Sequence, residues 1–221
     1  MLIWVAKACE KAVGRENVII ATDDSRIHSV AREFGFRSEN TASSALTGTD
    51  RVAEVARELH TTTILNVQGD EPMVSPEDIG RIAEVHAANP SLVVNGYVPL
   101  TPQEDPMRTT IPKVVLDQHE NLLYISRRDI PGSKSPDPLS DRTLYLKQVC
   151  IYGYSAEHLR NFASHTQKTP LEETEDIEIL RFLEMGQQVR MVRTQTSSLA
   201  VDTPDDVAVF EKAMSELGLK P

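Results

Sequence analysis

The chain has 221 residues, of which 40% are apolar and 25% charged, and a formal net charge of −10. That is the profile of an ordinary globular protein, long enough for one domain with a full core or two small ones. The acidic balance carries no basic stripe, which argues against nucleic acid as a partner, although an anionic nucleotide can still bind when Mg²⁺ comes with it. No apolar run is long enough to cross a bilayer, and Met1 leads into a helix-like pattern rather than a basic start and an apolar core; no membrane contact and no signal peptide are expected, and the expected location is the cytoplasm. Two cysteines, Cys9 and Cys150, stand far apart without metal-ligand spacing and read as reduced thiols.

Residues Leu2 to Val13 read as a helix, and Asn17 to Ala21 as a short β-rich run. Ile27, Val30, Ala31 and Phe34 then fall on one helical face, ended by Gly35. Val52, Val55, Ala56 and Leu59 repeat that spacing, with Thr49 as the expected N-cap. Thr63 to Val67 reads as a strand. Ser75-Pro76-Glu77-Asp78 combines a cap, a proline at the first helical position and acids in the first turn, so a helix starts there. Leu92 to Val98 is another strand. Strands alternating with helices predict an α/β fold, a doubly wound and mostly parallel sheet covered by helices.

The middle of the chain differs. Lys113 to Leu116 and Leu122 to Ile125 flank Asp117–Asn121 and predict a hairpin. Arg128 to Arg142, rich in Pro, Ser, Asp and Gly, reads as a loop, and Tyr145 to Tyr154 as a strand. A helix is expected from Ser155, another over Leu171 to Glu184 that stops at Gly186, then a strand at Val189 to Val192. Asp202-Thr203-Pro204-Asp205-Asp206 opens the last expected helix, with Val207, Phe210, Met214 and Leu217 on its apolar face. With no internal repeat, residues 1–221 are expected to form a single domain, with an inserted hairpin region at about 99–162.

Candidate chemistry gathers at strand ends, where ligands of open α/β sheets sit. "NVQGDEP", Asn66 to Pro72, places Gln68, Gly69, Asp70 and Glu71 together after a buried strand, more than a turn needs. Asp202 follows a strand-like run, Ser198 to Val201. If those strands are near neighbours, Asp70 and Asp202 can share a hard divalent ion such as Mg²⁺, completed by phosphate oxygens and water; read singly, Asp70 is a turn residue and Asp202 an N-cap. Gly69 would let a ligand approach the backbone. In "TGTDR", Thr47 to Arg51, a helix start offers amides to anions and Arg51 adds a guanidinium fork. Arg127, after a strand in "LYISRRDIP", suits a carboxylate or phosphate. Glu175 and Glu178 are three apart and are expected on one side of a helix. The six histidines form no i, i+4 metal pair, and no Walker loop, GxGxxG or GxSxG occurs.

The ordered set "ATDD", "TGTDR", "NVQGDEP", "PKVVLD", "LYISRRDIP", "IYGY", "PLEETEDIEILRFLEMG" and "VDTPDD" resembles the 3-deoxy-manno-octulosonate cytidylyltransferases over nearly the whole chain. The resemblance implies a nucleotide-diphospho-sugar transferase-like fold and a Mg²⁺-dependent enzyme. That enzyme would join CMP from CTP to a 3-deoxy ulosonic acid (Kdo) with release of pyrophosphate, for lipopolysaccharide synthesis. It also implies Asp70 and Asp202 as metal ligands and catalytic residues, Gln68 on the nucleotide, and Arg127, Tyr152 and Glu178 on the sugar side. A homodimer is implied, with residues 99–162 as the expected contact surface. The sugar-facing histidine of the family is Gln148 here, and the glutamine expected after Glu178 is Ile179, so both departures are expected on the sugar side. The family opens with a strand and a loop of the type IPARxxSxRxPGKPL, and Met1-Leu2-Ile3 aligns just after it. The first strand and phosphate loop are therefore expected to be missing, and this form alone to have little transferase activity. Two rival readings are a metal-dependent glycosyltransferase of related fold and an inactive nucleotide-binding remnant.

Overall fold

The computed structural model describes residues 1–132, 134, 145–195, 201, 207 and 210. Eight strands and seven α-helices alternate along most of the described chain. β1 (Ile19–Thr22) and β2 (Arg37–Asn40) pair in parallel as a two-stranded sheet. The larger sheet is organised around β7 (Leu146–Tyr154). One edge of β7 takes β4 (Val93–Pro99), which in turn pairs in parallel with β8 (Val189–Arg193). The other edge is shared: β5 (Lys113–Leu116) pairs with Leu146 and Lys147, and β3 (Ile64–Val67) pairs with Ile151 to Tyr154. β6 (Leu122–Ser126) closes a hairpin on β5. β3, β4, β5 and β8 therefore run one way, and β7 runs against them in their midst, as β6 does beside β5.

Both faces of this sheet are covered, which is why its strands read as continuous apolar runs. On one face Ala53 and Ala56 of α3 (Gly48–Ala56), Leu159 and Phe162 of α5 (Ala156–Ala163), and Ile179, Leu180 and Phe182 of α7 (Ile179–Glu184) pack on Ile64, Tyr154 and Met191. On the other, Val5 and Ala8 of α1 (Leu2–Val13) and Ile79 and Ile82 of α4 (Pro76–Ala88) pack on Val94, Val149 and Ile151. Ala6, also on α1, packs with Val18, Ile20 and, from α2 (Ser25–Glu33), Ala31, so α1 ties the small sheet to the large one.

Local chemistry sets the helix ends. The Ser75 side chain accepts from the amides of Glu77 and Asp78, as its sequence predicts. Gly35 and Gly186, the expected stops, both have φ 73°, a left-handed conformation in which glycine carries no Cβ penalty. The cap of α3 is Thr47 rather than Thr49: the Thr47 hydroxyl accepts from the Asp50 amide, and Thr49 lies inside the first turn. The helix expected over Leu171 to Glu184 is two, α6 (Pro170–Glu175) and α7, because Asp176 takes a left-handed φ of 51° and breaks the hydrogen-bond ladder. The hairpin tip turns back onto the molecule: Met191 donates to the Glu120 carbonyl at 2.8 Å, and Arg190 Nε to Asn121 Oδ1 at 3.1 Å. Of the expected last helix, Val207 and Phe210 are helical; Ser198 to Ala200, Asp202 to Asp206, Met214 and Leu217 lie outside the described residues.

Candidate active site

The division of one β7 edge between two partners creates the site. β5 leaves that edge after Lys147 and β3 joins it at Ile151. Between them the strand faces a cleft of about 390 Å³. Such a crevice beyond a strand end, where neighbours part, is where α/β folds bind ligands. Gln68, Asp70 and Glu71 reach it from the end of β3, Gln148, Cys150 and Tyr152 from β7, Arg127 from the end of β6, and Glu178 from the start of α7.

The residues of NVQGDEP take separate roles. Gln68 donates its backbone amide to the Cys150 carbonyl at 3.2 Å, extending the β3–β7 pairing, and its side-chain nitrogen to Glu178 Oε1 at 2.9 Å. Glu71 is buried and its Oε1 accepts from the Cys150 amide at 3.1 Å, so this carboxylate builds the turn. Asp70 stands on the cleft wall, and its carbonyl accepts from the Val201 amide at 2.9 Å. Asp202 itself lies outside the described residues, but its chain neighbour Val201 is hydrogen-bonded to the residue it was expected to join. Gly69 is not among the residues lining the cleft; a side chain there would meet Leu2 of α1 at 3.4 Å, an ordinary contact.

The helix start in TGTDR is already served by the protein. Thr49 donates its amide to Glu178 Oε2 at 2.8 Å, so the first turn of α3 holds an internal carboxylate. Burial raises the Glu178 carboxyl above its ordinary range, against the lowering effect of these hydrogen bonds. Arg51 stands apart from the cleft lining, with its guanidinium on Asp23 at 3.1 Å, Thr41 Oγ1 at 2.8 Å and the Ala42 carbonyl at 3.2 Å.

Glu175 and Glu178, expected side by side on one helix, point to different partners because Asp176 separates α6 from α7. Glu175 accepts from Ser126 Oγ at 2.6 Å and from the Arg127 amide at 2.9 Å, and holds the end of β6 rather than lining the cleft. The Arg127 side chain is fixed by carbonyls of Glu175 at 2.5 Å, Asp176 at 2.9 Å and Thr109 at 3.1 Å. Tyr152 lies buried on the floor, and burial pushes its hydroxyl well above its ordinary pKa. Gln148 lines the cleft. Ile179, the second departure, is fully buried in the core and faces no cleft, since it opens α7 on the side packed against the sheet.

Several lining residues carry no short-range signal. Lys147 and Glu104 form a close ion pair in the wall, and Arg108 stands near it on the segment leading to β5. Behind them Lys113 is fully buried and donates to the carbonyls of Arg108 at 2.9 Å and Arg127 at 2.6 Å. Burial lowers its ammonium to about 8. A lysine next to an apolar run reads as a surface residue; only its position on the inner side of β5 hints otherwise.

The parted β7 edge, Gln68 and Asp70 at the end of β3 and the Glu178 carboxylate at a helix start meet in one cleft of an α/β fold, and the comparisons narrow its class. The cytidylyltransferase profile matches residues 1–195. The 3-deoxy-manno-octulosonate cytidylyltransferase of Geotalea daltonii is 39% identical over 209 residues, covering 91% of this chain and 82% of that protein. That of Geobacter metallireducens is 38% identical over 221 residues, with 96% and 87% covered. A solved structure of CMP:2-keto-3-deoxy-manno-octonic acid synthetase complexed with CTP superposes with a TM-score of 0.86 at 28% identity, over 97% of this chain and 87% of that one. The inositol-1-phosphate CTP transferase of T. maritima shares the fold at a TM-score of 0.61 and 13% identity. The chain belongs to the cytidylyltransferase family, enzymes that transfer a nucleotidyl group.

Proposed function

We propose that this chain transfers CMP from CTP to a 3-deoxy ulosonic acid of the Kdo type, releasing pyrophosphate. The observation that carries the reading is the hydrogen bond between Val201 and Asp70, which joins chain segments far apart in sequence at the end of β3. Relatives at 38–39% identity bear that activity in their names.

In this reading Gln68, anchored through its amide nitrogen on Glu178, keeps its carbonyl oxygen for the nucleotide. The Arg108, Arg127 and Lys147 wall suits the carboxylate of the acid, because a guanidinium held by three carbonyls is oriented before ligand arrives. The acid's anomeric hydroxyl attacks the α-phosphorus; an O–P bond forms as the bond to pyrophosphate breaks, and the hydroxyl proton is released to water. Such a transfer depends on positioning and charge stabilisation more than on covalent help. The donor set fits a hard cation, since Asp70 offers carboxylate oxygens on the cleft wall beside the segment that leads to Asp202. Bound there, Mg²⁺ would offset the charge that develops on the phosphates.

The test is pyrophosphate release from CTP with Mg²⁺ and Kdo, beside heat protection by CTP·Mg²⁺. The expected result is protection by CTP·Mg²⁺ and Kdo-dependent release, reduced on the order of 10²–10³-fold in Asp70→Asn, the size typical of a lost charge-stabilising group. Protection by a preformed nucleotide-sugar but not by CTP would instead support a glycosyltransferase. Protection without release would instead support a nucleotide-binding protein that does not carry out the transfer.

A further inference from the structure

Like Gln68, a second amide of the cleft, Gln148, has its hydrogen-bonding orientation dictated from behind. Asn95 is fully buried in β4, and its amide nitrogen donates to two backbone carbonyls of β7, Val149 at 2.9 Å and Ile151 at 3.0 Å. Both carbonyls can only accept, so the orientation of the Asn95 amide is fixed and its Oδ1 must act as the acceptor on the other side. That oxygen receives the side-chain nitrogen of Gln148 at 2.9 Å. Reversing Gln148 would set two carbonyl oxygens against each other in a buried place, an arrangement that leaves both unsatisfied.

The Gln148 amide is therefore held through one N–H in the interior, which fixes its orientation and the position of its acceptor, Oε1. The residue lines the cleft beside Tyr152 and Arg127, on the strand stretch where β7 has lost β5 and not yet gained β3. Its backbone is pinned as well, since the Gln148 amide donates to the Pro112 carbonyl at 3.1 Å. An imidazole at this position could exchange donor and acceptor by changing tautomer; here Asn95 fixes which way the amide is turned, and so where its acceptor stands.

Resting on the activity proposed above, we infer that Gln148 is a specificity residue whose amide orientation is locked by Asn95, and that its fixed Oε1 selects an ulosonic acid carrying a hydrogen-bond donor, such as a hydroxyl, at the position facing β7. Asn95 is a positioning residue: it touches no substrate and acts through Gln148. A ligand lacking that donor leaves a buried acceptor without its partner, which is the situation in which polar sites discriminate most strongly.

The experiment measures sugar affinity by calorimetry on the full chain, in the presence of Mg²⁺ and a CTP analogue that cannot be cleaved between its α- and β-phosphates, so that no turnover is needed. The ligands are Kdo, a series of ulosonic acids each lacking one hydroxyl, and the matching series with fluorine in its place. For one position, removal of the hydroxyl should weaken binding about 10-fold or more. Fluorine, which accepts weakly and cannot donate, should bind there no better than hydrogen. Gln148→Met should weaken Kdo by a similar factor, erase the discrimination at that position alone and leave affinity for the CTP analogue within about twofold, a split that general unfolding would not produce. A fluoro analogue that matches Kdo at every position, or unchanged discrimination in Gln148→Met, would overturn the inference while leaving the reaction in place. The fluorine series needs only the unaltered chain, so it decides the matter even if the variant fails to fold. Absence of binding by any ulosonic acid would remove the proposed reaction itself and the inference with it.

Discussion

Two fully buried cations stand behind different parts of the cleft wall, and they are held in opposite ways. Arg181, on α7 below Glu178, makes a bidentate pair with Glu172 with both contacts at 2.6 Å, reaches Asp50 Oδ1 at 3.0 Å and donates to the Phe162 carbonyl at 3.2 Å. Its guanidinium carbon also lies 3.7 Å from the centre of the Phe162 ring. Lys113, on β5 behind Arg127, has two backbone carbonyls instead. Burial works against the charge in both. For Arg181 the hydrogen bonds to Glu172 and Asp50 outweigh it and raise the pKa; for Lys113 burial wins, and the pKa falls to about 8 despite the fields of Asp129, Glu175 and Asp105. Carboxylates in contact compensate a buried charge, whereas carbonyl dipoles satisfy its hydrogen bonds but leave much of the desolvation cost standing.

The sharpest break in this comparison is Arg181→Met. It would leave Glu172, fully buried, and Asp50 without their common partner, and removing one member of a buried ion pair typically costs about 3–5 kcal/mol. Because Asp50 is bound to Thr47, the cap of α3, the loss should spread to the helix start that holds Glu178. Chemical denaturation of both proteins at neutral pH gives the difference directly. A loss under about 1 kcal/mol, the value of an exposed pair, would show that the network is not the clamp described here.

The two cations also mark what a sequence can and cannot disclose. Helix boundaries at Ser75, Gly35 and Gly186 were legible because capping and left-handed turns depend on residues only a few positions apart. NVQGDEP was legible as a strand end carrying more polar groups than a turn uses, and Asp70, Gln68, Arg127, Gln148, Tyr152 and Glu178 do gather at one cleft. The break at Asp176 was hidden, because no glycine or proline interrupts Leu171 to Glu184. That one residue sends Glu175 to Ser126 and Glu178 to Thr49. β2 was hidden for a different reason: Arg-Ser-Glu-Asn has no β signal and pairs because β1 offers an edge. The Lys147–Glu104 pair, the Arg181 network and the Asn95–Gln148 clamp join residues from separate elements, and spacing carries no information about them.

Lys113 gives the second test, with a smaller effect and a slope. Lys113→Met removes the donor from two carbonyls, for about 1–3 kcal/mol at neutral pH if no water replaces it. The lysine's pKa is about 8 in the folded chain against 10.5 for an exposed one. Between those values the unfolded state holds more protons than the folded state, so the stability of the unaltered protein rises with pH relative to the variant. Denaturation midpoints taken from pH 7 upward should show the gap widening above about 8, the folded-state value. Arg181 should show no such slope, since its charge persists throughout. A gap independent of pH would place the Lys113 ammonium with Arg181, fully compensated.

The same rule acts with opposite timing at a buried base away from the cleft. His86, on α4, is fully buried, and its Nδ1 lies 3.0 Å from Thr63 Oγ1. Burial, with a lesser contribution from the charge of His158, lowers it from 6.5 to about 4. No carboxylate contributes to that shift, so the imidazole stays neutral in the fold, as Lys113 would if it could do without its carbonyls. Between those two pKa values the unfolded chain takes up a proton that the folded one refuses, so stability falls as pH drops from 6.5 toward 4, by at most about 1.4 kcal/mol for each pH unit. His86→Gln keeps a partner for Thr63 and removes the titration. Its stability should therefore decline less steeply over that interval than that of the unaltered protein, measured as denaturation midpoints against pH. Parallel declines would mean that His86 accepts its proton in place, and that burial alone does not decide which charges this core excludes.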